Sequence, residues 1–368
     1  MFPLLPYSQL VYDMLRVYPG VYDSVYRMRW VGMGAQMERV RDIFCAVVRN
    51  HPVFEAEYSE TGHTPGTLDN PLMSAYHSIE LTVEGADLIV ECHLNRILGD
   101  GEAPFILAED FRRAWQELPM TTDTYWEYIQ SIEQQKQTPR YLQHKEALEQ
   151  EFAGYAYPVR PHTDLEINAE VVPMAGEILA DYADLAEPLR AMQEREHLTT
   201  TAFFSLCAAI AIMDYEQTDE AALTWAYRGR DREEEQYIVG SLHRDIPMRI
   251  SRCENREDYF RQARNRARQG IAYGDYPLTL TAPHSEIWNY AVNVLEQPDV
   301  MSIAEMFSFP IEPILPELAE ASPAYALLDI NIEGTKLRFA YSATHYREES
   351  IRRFAALIRK NAEWLLSN

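Results

Sequence analysis

The stretch Asp87-Leu88-Ile89-Val90-Glu91-Cys92-His93-Leu94-Asn95-Arg96-Ile97-Leu98-Gly99-Asp100-Gly101 places the tightest limits on the fold. Leu88, Val90, Cys92 and Leu94 alternate with Ile89, Glu91 and His93, a period of two that describes a strand with two unlike faces. Asp100-Gly101 is a turn signal that ends it, and residues 103–116 follow with helical spacing. A strand over 78–83 pairs with 88–94 as a hairpin across Glu84-Gly85-Ala86-Asp87.

The same alternation of helices and strands runs along the chain. Residues 8–17 form a helix with Leu10, Val11, Met14 and Leu15 on one stripe, Ser8 as its cap and Pro19-Gly20 as its stop. A strand over 24–30 precedes a helix over 35–50, whose Met37, Val40, Ile43, Phe44, Val47 and Val48 share a side. Residues 53–58 read as a strand and 61–76 as a loop. Helices over 123–135 and 140–152 are expected on the outer face of a first lobe, and the proline-rich 153–164 reads as a linker.

Beyond it, 178–195 has the spacing of an amphipathic helix with a break at Pro188. Thr199-Thr200-Thr201 caps an apolar helix to Tyr215 that must be buried on most sides. Strands over 222–227 and 242–250 and a helix over 256–271 follow. Leu328, Ile330 and Ile332 face Leu337, Phe339 and Tyr341 in a hairpin about Glu333-Gly334, and Ile351, Phe354, Ala355, Ile358, Ala362 and Leu365 mark a terminal helix. The class is α/β, in lobes spanning 1–155 and 165–368.

Composition narrows the partners. With 368 residues, 47% hydrophobic and 24% charged, the chain can fill one large or two ordinary cores. A net charge of -24 leaves no basic surplus for nucleic-acid phosphates or anionic membrane. Cys45, Cys92, Cys207 and Cys253 are far apart without a C-x-x-C pair, which fits reduced structural thiols in a cytoplasmic protein. The N-terminus lacks a basic region followed by an apolar run, so no secretory signal is expected, and the apolar run 202–213 is too short to span a bilayer. The ten histidines show no H-E-x-x-H spacing, so no metal is expected; His51, His243 and His284 have no partner nearby in sequence. No G-x-S-x-G, P-loop or G-x-G-x-x-G occurs, and Gly32-x-Gly34 reads as a turn.

Asn95-Arg96-Ile97-Leu98-Gly99-Asp100-Gly101 resembles the His-His-x-x-x-Asp-Gly signature of the condensation domains of nonribosomal peptide synthetases and the wider chloramphenicol-acetyltransferase-like superfamily, with both histidines replaced. The resemblance extends over nearly the whole chain: Leu5-Pro6-Tyr7-Ser8-Gln9 near the start, Gly229-Arg230 after a strand, Gly240 leading to Ile246-Pro247-Met248-Arg249, and Asp275-Tyr276-Pro277, the most specific match. Two blocks depart. Asn50-His51-Pro52-Val53-Phe54-Glu55-Ala56 keeps only the histidine of Arg-His-Glu-x-Leu-Arg-Thr, and Leu242-His243-Arg244-Asp245 stands for Phe-Val-Asn-Thr. The resemblance implies two acetyltransferase-like lobes in a V, each a mixed sheet with packed helices. It implies an inter-lobe tunnel, with Gly240, His243, Asp275 and Tyr276 as candidate lining, that receives phosphopantetheine thioesters from acyl or peptidyl carrier proteins. The family reaction is attack of an acceptor amine on the donor thioester. No resident cofactor is implied, and no carrier or adenylation region is recognisable.

The family's second histidine is the base or positioning group, and Arg96 stands there; arginine stays protonated and cannot accept a proton. Arg96 admits three readings: a seam residue without chemistry, a fixed cation for a carboxylate or phosphate, or a stabiliser of a developing oxyanion. Asn95 takes the first motif position. His93 shares a face with Asn95 rather than Arg96, and replaces the base only if the strand bulges. Asp100, followed by Gly101, is expected by resemblance to pair with Arg230 across the seam, against the alternative of a solvated turn aspartate. His51 reads as a packing residue. The charge runs 230–235 and 261–268 read as solvated faces, the second also as a contact for an acidic carrier. Two functions remain: a non-catalytic module that binds a carrier or recruits a tailoring enzyme, as in X-type relatives with arginine at this position, or an acyltransferase working by positioning. Loss of the base favours the first.

Overall fold

The computed structural model describes residues 1–17, 23–154, 156–166, 174–281, 291–296, 300–314 and 327–367. The expected stop at Pro19-Gly20 and His284 lie outside them. The chain forms two compact units interleaved in sequence: Met1–Gln137 with Arg228–His243 and Pro298–Ala319, and Thr138–Tyr227 with Arg244–Gln297 and Glu320–Asn368. A single cut between 155 and 165 therefore does not separate them.

Elements are numbered in chain order. The first unit contains α1 (Pro6–Val17), β1 (Asp23–Trp30), α2 (Met37–Asn50), β2 (Ala56–Ser59), β3 (Gly62–Pro65), β4 (His77–Glu84), β5 (Asp87–Asn95), α3 (Ala103–Trp115), α4 (Tyr125–Gln135), α9 (Val300–Glu305) and β10 (Ile311–Pro313). Its sheet has the order β10-β1-β5-β4, and each of these pairings is antiparallel. The inward row of β5, Leu88, Val90 and Cys92, meets Met28 and Trp30 of β1, Val40, Ile43 and Val47 of α2, and Phe111 of α3. A second core joins Leu5, Val11, Phe54, Ile97 and Leu98 to Ile238, Val239 and Leu242, so the late segment 228–243 is an integral part of this unit.

Two local expectations are corrected here. Helix α1 begins at Pro6, whose fixed φ suits a first helical position, and Ser8 is buried inside the helix rather than capping it. Residues Pro52–Glu55 form a 3-10 turn before β2, because adjacent Val53 and Phe54 are both buried and a strand would turn one outward; β3 then lies within the expected loop.

The second unit contains α5 (Pro139–Glu151), β6 (Ala175–Asp181), α6 (Ala186–Glu196), α7 (Thr200–Glu216), β7 (Glu220–Tyr227), β8 (Arg244–Ser251), α8 (Arg256–Tyr273), β9 (Asn293–Glu296), β11 (Leu328–Glu333), β12 (Lys336–Ser342) and α10 (Glu348–Leu366). Its sheet, β6-β12-β11-β9-β7-β8, is mixed: β9 runs parallel to both β11 and β7. Helix α7 is buried throughout Thr201 to Met213 against this sheet. Helix α5 belongs here and not to the first unit, since Leu148 and Phe152 pack with Tyr276 and Leu278.

Residues 178–195 are not one helix. Ile178 is buried and Leu179 is 56% exposed, the alternation of a strand, and Pro188 sits in the first turn of α6, where a missing N–H leaves no bond unmade. No single described helix is long and apolar enough to cross a membrane.

The Thr199 hydroxyl accepts a hydrogen bond from the Ala202 N–H at 3.1 Å and so caps α7. Thr199→Ala is predicted to destabilise the protein by about 1 kcal/mol, read as a lower melting temperature by calorimetry; an unchanged transition would contradict this cap.

Candidate functional site

Strand β5 ends by folding back on its own backbone. The Asn95 side-chain oxygen accepts from Ile97 N–H at 3.0 Å, and Leu98 N–H donates to Asn95 carbonyl at 3.0 Å. Ile97 and Leu98 are thereby buried in the core, and the chain reaches Asp100 in a fixed turn.

Asp100 gathers three segments of the chain around one carboxylate. Its Oδ1 accepts from Glu102 N–H at 3.1 Å. Its Oδ2 accepts from Arg230 Nη1 at 2.9 Å, Leu242 N–H at 2.8 Å and His243 N–H at 2.9 Å. In this pair the Arg230 side chain is 0% exposed and that of Asp100 4%. Arg230 also donates to the carbonyls of Arg228, Ile238 and Gly240. The pair is internal to the first unit, because 228–243 belongs to it; this corrects the expected link across a seam. Asp231 to Glu234 of the 230–235 run are exposed, as expected of a solvated face, while at its two ends Arg230 is buried and Glu235 turns back to accept from the Asp231 and Arg232 N–H groups. Gly229 is required: its φ is +69°, and a Cβ there would lie 1.9 Å from the Leu242 carbonyl.

The side chains around this frame are unlike the family's histidines. Arg96 is half-buried, and its carbonyl accepts from the Ser241 hydroxyl at 2.6 Å. Burial raises the pKa of Tyr26 above its ordinary value, and the positive charge of Arg96 opposes that rise. His93 lies on the other face, where its Nε2 is 2.9 Å from Glu91. The pairing of β5 with β1 is unbroken from Asn95 to Leu88, so no bulge turns His93 toward Arg96. The His243 ring stands edge-on to Tyr7 at 4.1 Å, with Nδ1 buried and without a hydrogen-bond partner. Gly240 leaves room for the side chains of its neighbours, since a Cβ there would lie 2.9 Å from both Leu242 and the Tyr125 ring. Gly101 is an exposed turn residue.

His51 is fully buried between two carboxylates that sequence reading did not connect with it: Asp123 is 2.7 Å from Nδ1 and Asp110 is 3.2 Å from Nε2. Burial works against its protonation, but Asp110 and Asp123 outweigh that and hold its pKa above the ordinary value. Asp123 also accepts from Val239 N–H at 3.0 Å, binding the same late segment. A charged Asp110 on the apolar side of α3 was the available signal.

Asp275 and Tyr276 lie in the second unit with partners of their own. His144 Nδ1 is 2.8 Å from Asp275, and Tyr276 donates to Glu149 at 2.6 Å. Burial, helped by Glu149, pushes the Tyr276 phenol up to about 12. In the 261–268 run, Arg261, Arg264 and Arg266 pair with Asp258, Glu196 and Glu151, which uses much of its charge inside the unit. Among the described residues no cluster of three His, Cys, Asp or Glu could hold a metal, and none of the four cysteines is disulfide-bonded.

The condensation-domain family profile matches residues 57–368, and the chain belongs to that family, whose members work in nonribosomal peptide synthesis. No curated protein matches by sequence. Solved structures resemble it throughout. The X-domain from teicoplanin biosynthesis superposes with a TM-score of 0.77 at 12% identity, covering 99% of this chain and 94% of that one. The SgcC5 protein from Streptomyces globisporus gives 0.76 at 14%, covering 99% and 98%. The epimerization domain from the third module of tyrocidine synthetase B gives 0.75 at 17%, covering 99% and 97%. At such identities the likeness is of fold, and it agrees with the α/β class.

Asp100→Ala removes the counter-charge of a buried guanidinium and the side-chain acceptor of three backbone N–H groups; a loss of about 3–5 kcal/mol of stability is predicted, checked by thermal unfolding, with an unchanged melting temperature as the contrary result. For His51, the raised folded pKa means its stabilising charge is fully present below about pH 6.5 and is lost as pH rises through the folded value. His51→Gln is predicted to flatten the fall in stability above that pH; a variant whose stability falls with the same slope as the parent would refute it.

Proposed function

We propose that this member of the condensation-domain family binds phosphopantetheine thioesters delivered by an acyl or peptidyl carrier protein, with the Arg96 loop as the receiving point, and that it does not carry out ordinary amide formation. The observation that carries the reading is the contrast within one loop. The Asp100–Arg230 frame is complete, whereas the position of the base holds a permanently protonated guanidinium and the neighbouring imidazole of His93 faces away with Glu91. A planar cation suits recognition of a carbonyl, carboxylate or phosphate more than proton removal. Such a module acts in the cytoplasm by holding a loaded carrier, and recruitment of a tailoring enzyme is a natural extension of that role. The pantetheine arm arrives with the substrate and is not a resident cofactor. In this reading Asn95, Gly101 and Gly240 shape the loop, while Asp275 and Tyr276 hold α5 rather than ligand.

A second reading is favoured by one observation. His243 is tied to Asp100 through its backbone and carries an imidazole nitrogen without a hydrogen-bond partner. As an acyltransferase, the chain would hold amine or hydroxyl against the thioester carbonyl. The new C–N or C–O bond forms as C–S breaks, Arg96 stabilises the oxyanion, and the acceptor's proton leaves with the thiol through His243.

Mass spectrometry of products from a panel of acyl-pantetheine thioesters and amines tests the choice, with Arg96→Ala and Arg96→His run alongside. The expected result is no amide from the parent protein and amide only from Arg96→His. Amide formed by the parent and lost in Arg96→Ala would establish the second reading.

A further inference from the structure

The turn that ends β5 is pinned at its central peptide. Asn95 to Leu98 form a β-turn closed by the Leu98 N–H on the Asn95 carbonyl at 3.0 Å, with Arg96 and Ile97 as its central residues. Turn types differ chiefly in the orientation of the peptide between those two residues, so rotation of that plane is the soft motion of such a turn. Here the plane is held from both sides. The Ile97 N–H donates to Asn95 Oδ1 at 3.0 Å, and the Arg96 carbonyl accepts from the Ser241 hydroxyl at 2.6 Å.

Ser241 differs from its neighbours in the group it uses. The Val239 N–H goes to Asp123, the Gly240 carbonyl accepts from the Asp100 N–H at 3.3 Å, and the Leu242 and His243 N–H groups go to Asp100. Those are backbone groups, indifferent to the side chain at 241. Ser241 is 3% exposed and reaches residue 96 with its side chain. Because its segment is clamped by Asp100 and Asp123, the hydroxyl is a fixed donor rather than one that follows the turn. An arginine side chain carries many rotamers, and a cation used for recognition needs a fixed origin.

We infer that Ser241 is a positioning residue for Arg96: its hydroxyl locks the peptide plane after Arg96 and so sets the point from which the guanidinium meets the thioester-bearing arm. The inference rests on the proposed function for the ligand and adds to it a residue that acts through Arg96.

Calorimetric titration of the full chain with a carrier protein bearing acetyl-aminopantetheine, beside the bare carrier, tests this in the parent, Ser241→Ala, Arg96→Gln and the double variant. Ser241→Ala is expected to weaken binding of the loaded carrier about three- to tenfold, the share of one hydrogen bond. In the Arg96→Gln background, where no cation is left to position, the same substitution should change affinity by less than about twofold. Ser241→Cys keeps the size of the side chain with a weaker donor; it should fall between parent and alanine variant, and it carries the comparison if Ser241→Ala fails to fold. Unchanged affinity in Ser241→Ala, or an equal loss in both Arg96 backgrounds, would overturn the assignment while leaving carrier binding intact, because a merely structural serine weakens binding whatever stands at 96. Loaded and bare carrier bound alike by the parent, or neither bound, would overturn both the assignment and the reading it rests on.

Discussion

The Asp100 carboxylate is the point on which the first unit depends. A guanidinium stripped of water is tolerated only when its charge is matched and its donors are used, and Arg230 meets both conditions through Asp100 and the carbonyls of Arg228, Ile238 and Gly240. The second oxygen of Asp100 meanwhile starts the turn into α3. One side chain thus joins the end of β5, the beginning of α3 and a segment more than a hundred residues later in the chain. The side chain at position 96 does not enter this frame, because none of these bonds passes through it.

A second buried charge system acts on the same late segment. His51, between Asp110 and Asp123, closes the end of α2, and Asp123 holds Val239, one residue from the Gly240 carbonyl that accepts from Arg230. Residues 238–243 are therefore clamped from two directions, with Ile238, Val239 and Leu242 filling the core between. The period of β5 then separates two kinds of chemistry. Its even row, Leu88, Val90, Cys92 and Leu94, faces the apolar core, while Glu91 and His93 of the odd row meet each other on the opposite face.

Much of this frame was legible. The alternation of 88–94, the turn at Glu84 to Asp87 and the cap at Thr199 are local signals, and the structure reproduces them as β5, its hairpin and α7. The Asp100–Arg230 pair was accessible only through family resemblance, since no local pattern links positions 130 residues apart. What escaped was decided by tertiary context. Residues 178–195 carry helical spacing, yet pairing with β12 draws Ile178 to Asp181 into a strand. Helix α5 looked like part of the first lobe, but its apolar side is claimed by Tyr276 and Leu278. The carboxylates around His51 lie too far along the chain to be read from it.

The central claim is that the motif loop persists as a binding frame with a cation where the family has a base. Its most direct test is calorimetric titration with a carrier protein bearing a non-hydrolysable acyl-aminopantetheine, beside the same carrier without its arm. The account predicts saturable binding of the loaded carrier that weakens at least about tenfold in Arg96→Gln, the share expected of one charge-assisted contact. Equal affinity for loaded and bare carrier, or no binding of either, would contradict it.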